Sequence, residues 1–164
     1  MTRFTRLDSP IGTLTLASDG ASLTGLQMSP ATIGPDWKRD DRAPILLEAR
    51  KQLREYFSGA RTRFDLPLAP KGTPFQLKVW EALREIPYSE TRSYADIARY
   101  VGCPKGYRAV GLANGANPIA IVVPCHRVIG ADGSLTGFGG GLPRKRALLK
   151  LERGAPLASS PLHC

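Results

Sequence analysis

The 164-residue sequence is poor in cysteine and has no long apolar run. Three scattered cysteines, Cys103, Cys125 and Cys164, do not make a disulfide framework, and they lack the paired spacing of a zinc site. No stretch approaches the ~20 apolar residues of a membrane span, and no apolar segment typical of a signal peptide follows the N-terminus. These absences favour a protein of the reducing cytoplasm that has no metal and no membrane partner.

Acidic residues are also scarce relative to basic ones. The chain has 14 Asp and Glu against 23 Lys and Arg, which gives a formal net charge of +9. A surplus of this size favours a polyanionic partner, nucleic acid above all. On charge alone, a basic but inert surface remains the alternative.

The first 70 residues have the pattern of a small α+β unit. Alternation of apolar and polar residues favours extended strands over residues 11–16, 23–28 and 64–68. Asp19-Gly20 predicts a hairpin turn between the first two of these. Residues 29–44 show no period and predict a loop, and the apolar stripe of residues 45–57 predicts a helix that ends before Gly59.

A connector over residues 68–72 separates this unit from a mostly helical part. Thr73-Pro74-Phe75-Gln76 is a capping box with proline at the first helical position. Apolar periodicity and breakers predict helices over about residues 74–86, 93–101, 105–114 and 143–152. Gly102-Cys103-Pro104 lies between the second and third of these helices, which suggests a helix-turn-helix.

The third of these helices is rich in small residues. They are Gly106, Ala109, Gly111, Ala113 and Gly115. An interior glycine costs ~1 kcal/mol relative to alanine, so the small side chains indicate a close approach to some other surface. That surface is either a neighbouring helix or an external partner. Arg108 projects from the same helix.

Cys125 follows the β-branched run Ile119–Val123, which predicts a buried strand or extended segment. Burial raises the pKa of a thiol, whereas the thiolate is the nucleophile, so a reactive Cys125 needs a base. His126 is adjacent, and Glu152 on the last helix is a candidate to orient its imidazole. An isolated buried cysteine is equally typical of an inert core position, and on spacing alone both interpretations stay open.

Pro124-Cys125-His126-Arg127-Val128 resembles the active-site signature of the O6-alkylguanine-DNA alkyltransferase family. Further motifs match in order and spacing from about residue 73 to 154, and the first 70 residues match weakly. They are Thr73–Trp80, Tyr94–Ala98, Arg108–Gly111, Asn117-Pro118 and Gly139–Gly141. The resemblance implies an α+β protein: a small N-terminal α/β roll similar to ribonuclease H (residues 1–70), a winged-helix-like helix-turn-helix domain with the active site (residues 73–154) and a tail (residues 155–164).

The resemblance also implies the roles of individual residues in repair of alkylated bases in double-stranded DNA. Cys125 accepts the alkyl group, His126 deprotonates it through a water, and Glu152 holds His126. Asn117 is a hinge for the turns around the motif, and Tyr94 helps to neutralise the departing guanine while contacting DNA. The other DNA-contacting residues, in the minor groove, are Arg108, which replaces the flipped nucleotide, and Ala109, Gly111 and Ala113. The substrate pocket is expected to be lined by Val128, Phe138, Gly139 and Gly140.

In such a scheme the donor is the DNA itself, so no cofactor is needed, and the thioether formed at Cys125 ends the activity of that molecule. The chain is expected to act as a monomer. Two residues depart from the family pattern: Phe138 stands where many relatives carry tyrosine, and Gly139 where some carry serine. The alternatives are an alkyltransferase-like lesion sensor, which Cys125 argues against, and a helix-turn-helix regulator, which His126, Asn117 and Glu152 argue against.

Overall fold

The computed structural model describes residues 1–135, 138 and 140–154. Its first part is a mixed sheet of four strands in the order β3-β2-β1-β4. The strands are β1 (Arg3–Ser9), β2 (Gly12–Ser18), β3 (Leu23–Met28) and β4 (Lys38–Arg39). The first three form an antiparallel meander, and β4 pairs with β1 in parallel. Helix α1 (Pro44–Phe57) packs on this sheet and buries Leu46, Leu53 and Tyr56.

The predicted hairpin at Asp19-Gly20 is confirmed, with Gly20 at a φ of 102°, in the left-handed region that glycine adopts without a Cβ penalty. Two strands of this sheet escaped the sequence prediction. Strand β1 carries charged residues at several positions, and β4 lies inside the segment predicted to be a loop. Strand β1 is defined by its pairing with β2 and β4, and β4 by its pairing with β1. Residues 64–68 contribute one bridge, between Leu68 and Leu23, and no full strand.

The second part contains four helices and a small parallel pair of strands. The helices are α2 (Pro74–Arg84), α3 (Tyr94–Tyr100), α4 (Tyr107–Gly115) and α5 (Leu142–Glu152), and the strands are β5 (Arg92–Ser93) and β6 (Val128–Ile129). The capping box at Thr73 is confirmed: its hydroxyl accepts from the backbone N–H of Gln76, whose side chain accepts from the Thr73 N–H. Helices α3 and α4 both pack on α2 and on each other, as a helix-turn-helix requires.

The run Ile119–Val123 is buried as predicted, but it is neither a strand nor extended. Only Ile119 bridges to Leu26 of β3, and the following backbone folds into tight turns in which the Val123 N–H donates to the Ile119 carbonyl. Ile121 adopts a φ of 71°, which is rare for a β-branched residue and indicates that surrounding contacts hold the turn. The β-branched composition of this run therefore predicted its burial correctly and its local backbone conformation wrongly.

The contact between Ile119 and β3 joins the two parts of the chain. The Leu26 N–H donates to the Pro118 carbonyl at 2.9 Å, and the Ala120 N–H donates to the Leu26 carbonyl at 3.2 Å. The buried side chains of both parts form one continuous apolar cluster. Strand β3 thus supports the segment that leads into Cys125. Among the described residues, no helix is long and apolar enough to cross a membrane.

Candidate active site

Cys125 begins a single 3₁₀ turn, Cys125–Arg127, that follows the tight turns at Ile119–Val123. Asn117 braces these turns, because its side-chain N–H donates to the Val123 carbonyl at 2.8 Å while its side-chain oxygen accepts from the Ile119 N–H at 3.0 Å. One amide thus ties together the start and the end of the segment before the cysteine. These two hydrogen bonds are the contacts expected of a residue that acts as a hinge for the turns around the motif.

His126 and Glu152 are both fully buried and in direct contact. The Nε2 atom of His126 lies 2.6 Å from Oε2 of Glu152. A carboxylate at Nε2 favours the tautomer with the proton on that nitrogen, which leaves Nδ1 as the basic atom. Nδ1 is buried and has no hydrogen-bond partner among the described residues.

Glu152 also pairs with Arg127, the residue after the histidine. The Arg127 guanidinium donates from Nε to Oε1 at 2.8 Å and from a terminal nitrogen to Oε2 at 3.1 Å, a bidentate arrangement. Its other terminal nitrogen donates to the Ile86 carbonyl at 2.7 Å. The Ser89 N–H and the Tyr56 hydroxyl complete the set of donors to this carboxylate. Burial of the charge is therefore compensated by five donors from three segments of the chain.

The pKa values of the three central groups follow from this arrangement. Burial raises the pKa of the Cys125 thiol, although a hydrogen bond from Asn117 and the charge of Lys145 oppose the shift. Burial lowers the pKa of His126, against the opposing effect of Glu152, so the imidazole is neutral at neutral pH. Burial alone would raise the pKa of Glu152, but bonding to His126 and Arg127 outweighs it and holds that pKa well below its usual range. At neutral pH the site therefore holds Cys125 as a thiol, His126 as a neutral base and Glu152 as an ionised carboxylate.

Cys125 lies at a cavity of about 210 Å³ between the two parts of the chain. Leu26 and Met28 line it from the sheet, Asn114 from α4, and Phe138 and Gly140 from the loop before α5. Cys125 is only 5% exposed, so a reactant must enter this cavity to meet its thiol. The placement of Phe138 and Gly140 fits their expected role in the pocket. Gly139 lies outside the described residues.

Val128, also expected to line the pocket, is fully buried in β6, where its carbonyl accepts from Lys145 Nζ at 2.5 Å. Its side chain does not line the cavity that holds Cys125. Val128 thus belongs to the core beside β5, and its place in the substrate pocket stays a prediction.

Helix α4 presents one side outward, with Arg108, Ala109 and Leu112 exposed. Leu112 is 79% exposed. Ala113 departs from the sequence expectation: it is 3% exposed and packs in the core, so its side chain is not available to DNA. One turn after Ala109, it lies toward the side of α4 that carries the buried residues Val110 and Asn114.

Tyr94, at the start of α3, is half-buried beside α4. A Cβ added at Gly111 would lie 3.8 Å from its ring, an ordinary van der Waals distance, so the Tyr94 ring packs directly over this position of α4. Lys145 Nζ lies 6.0 Å from the centre of the same ring. The described residues contain no group of three or more His, Cys, Asp or Glu that could hold a metal ion.

Comparison with known proteins decides what this arrangement belongs to. Residues 74–154 match the DNA-binding domain of 6-O-methylguanine DNA methyltransferase, and residues 2–70 match its ribonuclease-like domain. The chain belongs to the 6-O-methylguanine DNA methyltransferase family. The α+β fold expected from the resemblance, a ribonuclease-like sheet domain followed by a helical DNA-binding domain, is confirmed.

Relatives of this family match over nearly the whole chain. The methylated-DNA–protein-cysteine methyltransferase of Mycobacterium bovis is 56% identical over 156 residues, 93% of each chain. The constitutive methylated-DNA–protein-cysteine methyltransferase of Bacillus subtilis is 49% identical, and the match covers 93% of this chain and 96% of the Bacillus protein. The crystal structure of Mycobacterium tuberculosis OGT in complex with DNA superposes with a TM-score of 0.89 at 54% identity, covering 97% of this chain and 95% of that one.

Within this methyltransferase, four residues of the site escaped the sequence prediction: Arg127, Asn114, Lys145 and Tyr56. Arg127 stands in the signature itself, and its place beside His126 was the signal that could have identified it. Asn114 donates to the Cys125 carbonyl at 3.3 Å from the buried side of α4. No sequence signal marks Lys145 or Tyr56, because burial of a lysine and a contact across 96 residues depend on the fold.

Proposed function

We propose that Cys125 is the acceptor in this methyltransferase and that His126 and Glu152 activate it. Membership of the family gives the overall reaction: the protein repairs DNA by transferring the methyl group of O6-methylguanine to a cysteine. Cys103 is exposed, whereas Cys125 shares a cavity with the loop before α5 and lies next to a neutral buried histidine. The His126–Glu152 contact at 2.6 Å is the observation that carries the assignment.

The proton of Cys125 passes to His126 Nδ1 through a bridging water, and Glu152 stabilises the imidazolium that forms. The thiolate attacks the methyl carbon, and the bond from that carbon to O6 breaks with its electron pair staying on the base. Tyr94 lies beside the small-residue helix, where it helps to neutralise the departing guanine by proton donation. The product is a thioether, whose carbon–sulfur bond has no leaving group to regenerate the thiolate. The protein is therefore consumed, one methyl per molecule, and needs no cofactor.

Access to the thiol requires that the damaged nucleotide leave the duplex. A base stacked inside DNA cannot reach a side chain that is 5% exposed within a cavity, so it must be flipped out. The same cavity would receive other O6-alkylguanines or O4-alkylthymine if their groups fit, and we include these as further substrates of the proposal.

The decisive experiment locates the methyl group. The full chain is mixed with a duplex oligonucleotide that carries one O6-methylguanine, at a series of molar ratios, and intact and peptide masses are recorded. We expect one added methyl per protein, mapped to Cys125, with a yield that stops at one equivalent. Exposed Cys103 serves as the internal control, since a methyl group on it, or repeated turnover, would contradict the proposal.

Helix α4 is proposed to enter the minor groove, with Arg108 filling the space of the flipped nucleotide. Arg108, Ala109 and Leu112 share its exposed side, and small residues at Ala109 and Gly111 let the backbone come close to DNA. A repair protein must inspect any sequence. We therefore expect few base-specific contacts, with basic side chains binding the DNA phosphates. We propose that the protein acts as a monomer, and free Cys125 requires a reducing compartment such as the cytoplasm.

Replacing Arg108 with alanine should slow methyl transfer from duplex DNA by about tenfold or more, because flipping costs a few kcal/mol that Arg108 helps to offset. Transfer from the free base O6-methylguanine, which needs no flipping, should stay unchanged. Arg84→Ala, an exposed arginine of α2, is the matched control for loss of charge. Equal slowing on free base and duplex, or equal effects of the two variants, would argue against the proposed role.

A further inference from the structure

Tyr56 connects the N-terminal sheet domain to the catalytic carboxylate. It lies near the end of α1, its side chain is wholly buried, and its hydroxyl donates to Oε2 of Glu152 at 2.6 Å. Burial and the charge of Glu152 raise the pKa of Tyr56 well above its usual value, so this hydroxyl keeps its proton over the whole working range. The bond therefore has a fixed direction, from tyrosine to carboxylate.

The Tyr56 hydroxyl donates to the same carboxylate oxygen that contacts His126. Oε2 of Glu152 is also the atom in contact with His126 Nε2 at 2.6 Å, and it accepts from Arg127 at 3.1 Å. A hydrogen bond to an ionised group stabilises that group and withdraws charge that would otherwise act on the histidine. Tyr56 and His126 thus share one acceptor.

We propose that Tyr56 is a positioning residue for methyl transfer: its hydroxyl holds Oε2 of Glu152 against His126 and limits how strongly the carboxylate favours the imidazolium. The proposal rests on the roles proposed above for His126 and Glu152. It makes the N-terminal domain part of the catalytic apparatus, although every residue of the signature lies in the other domain.

The groups around this pair define what Tyr56 can change. Glu152 is faced by His126 and Arg127 from the 3₁₀ turn, by Tyr56 from α1, and by Tyr88 and the Ser89 N–H from the segment after α2. His126 is influenced by Glu152, Arg127 and Lys145. Removing the Tyr56 hydroxyl leaves more of the carboxylate charge to His126, so the imidazole holds its proton up to a higher pH.

Tyr56→Phe isolates the hydroxyl, because the ring keeps its neighbours. Its centre lies 5.3 Å from that of Phe57 and 5.4 Å from that of Phe64, and both contacts survive the substitution. Tyr100→Phe is the matched control, since Tyr100 is 68% exposed on α3. Both variants are used as the full chain.

The test is the pH dependence of the methyl-transfer rate with the methylated duplex. In the unchanged protein the rate should fall on the acidic side with a midpoint below the ordinary histidine value of about 6.5, because burial lowers the pKa of His126. In Tyr56→Phe that midpoint should rise by about half to one pH unit, while Tyr100→Phe follows the unchanged protein. The chain has two histidines, His126 and His163, so ring titration by NMR should show the same shift at His126.

Two outcomes separate the possible failures. If His126→Gln abolishes the acidic limb while Tyr56→Phe leaves the limb and the His126 titration in place and only lowers the melting temperature, the hydroxyl serves the fold and the inference is wrong. If the limb persists in His126→Gln, the histidine is not the base, and the inference falls together with the proposed mechanism.

Discussion

Replacing Cys125 with serine should abolish methyl transfer to the protein while duplex binding persists. A hydroxyl is far less acidic than a thiol, and burial, which already raises the pKa of Cys125, raises that of a hydroxyl as well. A neutral histidine whose own pKa is lowered by burial cannot deprotonate it to a useful extent. Oxygen is also the weaker nucleophile toward an alkyl carbon.

Intact mass after incubation with equimolar methylated duplex measures the loss, and fluorescence anisotropy with the same duplex measures binding. Cys125→Ala should behave like Cys125→Ser, which separates loss of the nucleophile from a specific effect of serine. Cys103→Ser, at an exposed position, should transfer the methyl group at the normal rate. Methyl loss from DNA in the presence of Cys125→Ala would contradict the mechanism. The mechanism requires that this variant bind the methylated duplex normally without transferring the methyl group.

Glu152→Gln should reduce both the rate and the stability by large amounts. The substitution keeps the shape but removes the charge that stabilises imidazolium, and losses of about 10²–10⁴ are typical when a base loses its carboxylate partner. It also leaves the Arg127 guanidinium buried without its counter-charge, which costs about 3–5 kcal/mol of unfolding free energy. Single-turnover kinetics and denaturant unfolding give the two numbers.

The exposed pair Glu90–Arg92 supplies the control, because Glu90→Gln should change stability by less than about 0.5 kcal/mol. The double variant Glu152→Gln with Arg127→Met removes both charges, so stability should recover in part while the rate stays low. Recovery of the rate along with stability would show that Glu152 acts through the fold alone.

The pKa of Glu152 is held down in the folded state, so the stability it contributes is present above the usual glutamate range and declines as the pH falls. The difference between the unchanged protein and Glu152→Gln should therefore shrink in acid.

The sequence by itself determined the elements whose causes are local. The capping box at Thr73 predicted the start of α2, because both partners of the cap lie within four residues. Asp19-Gly20 predicted the hairpin, because a turn depends on the backbone freedom of its own residues. Resemblance through short motifs placed Cys125 and His126 in one signature, and the comparisons then established the family.

Tertiary structure alone decided which residues meet. Strand β4 has only two residues and exists through its pairing with β1, and the β-branched run before Cys125 folds into turns because β3 and Asn117 hold it there. Ala113 and Val128 are turned into the core by helix and strand packing that no local pattern records.

The same distinction applies to the acidity of Cys125. Burial of the thiol was visible in the run that precedes it, and the need for a base followed from that burial. The set of five donors around Glu152, from α1, the 3₁₀ turn and the segment after α2, depends on long-range packing. Charge inside a protein is set by neighbours in space, so only the fold could show that the carboxylate behind His126 is shared with Tyr56.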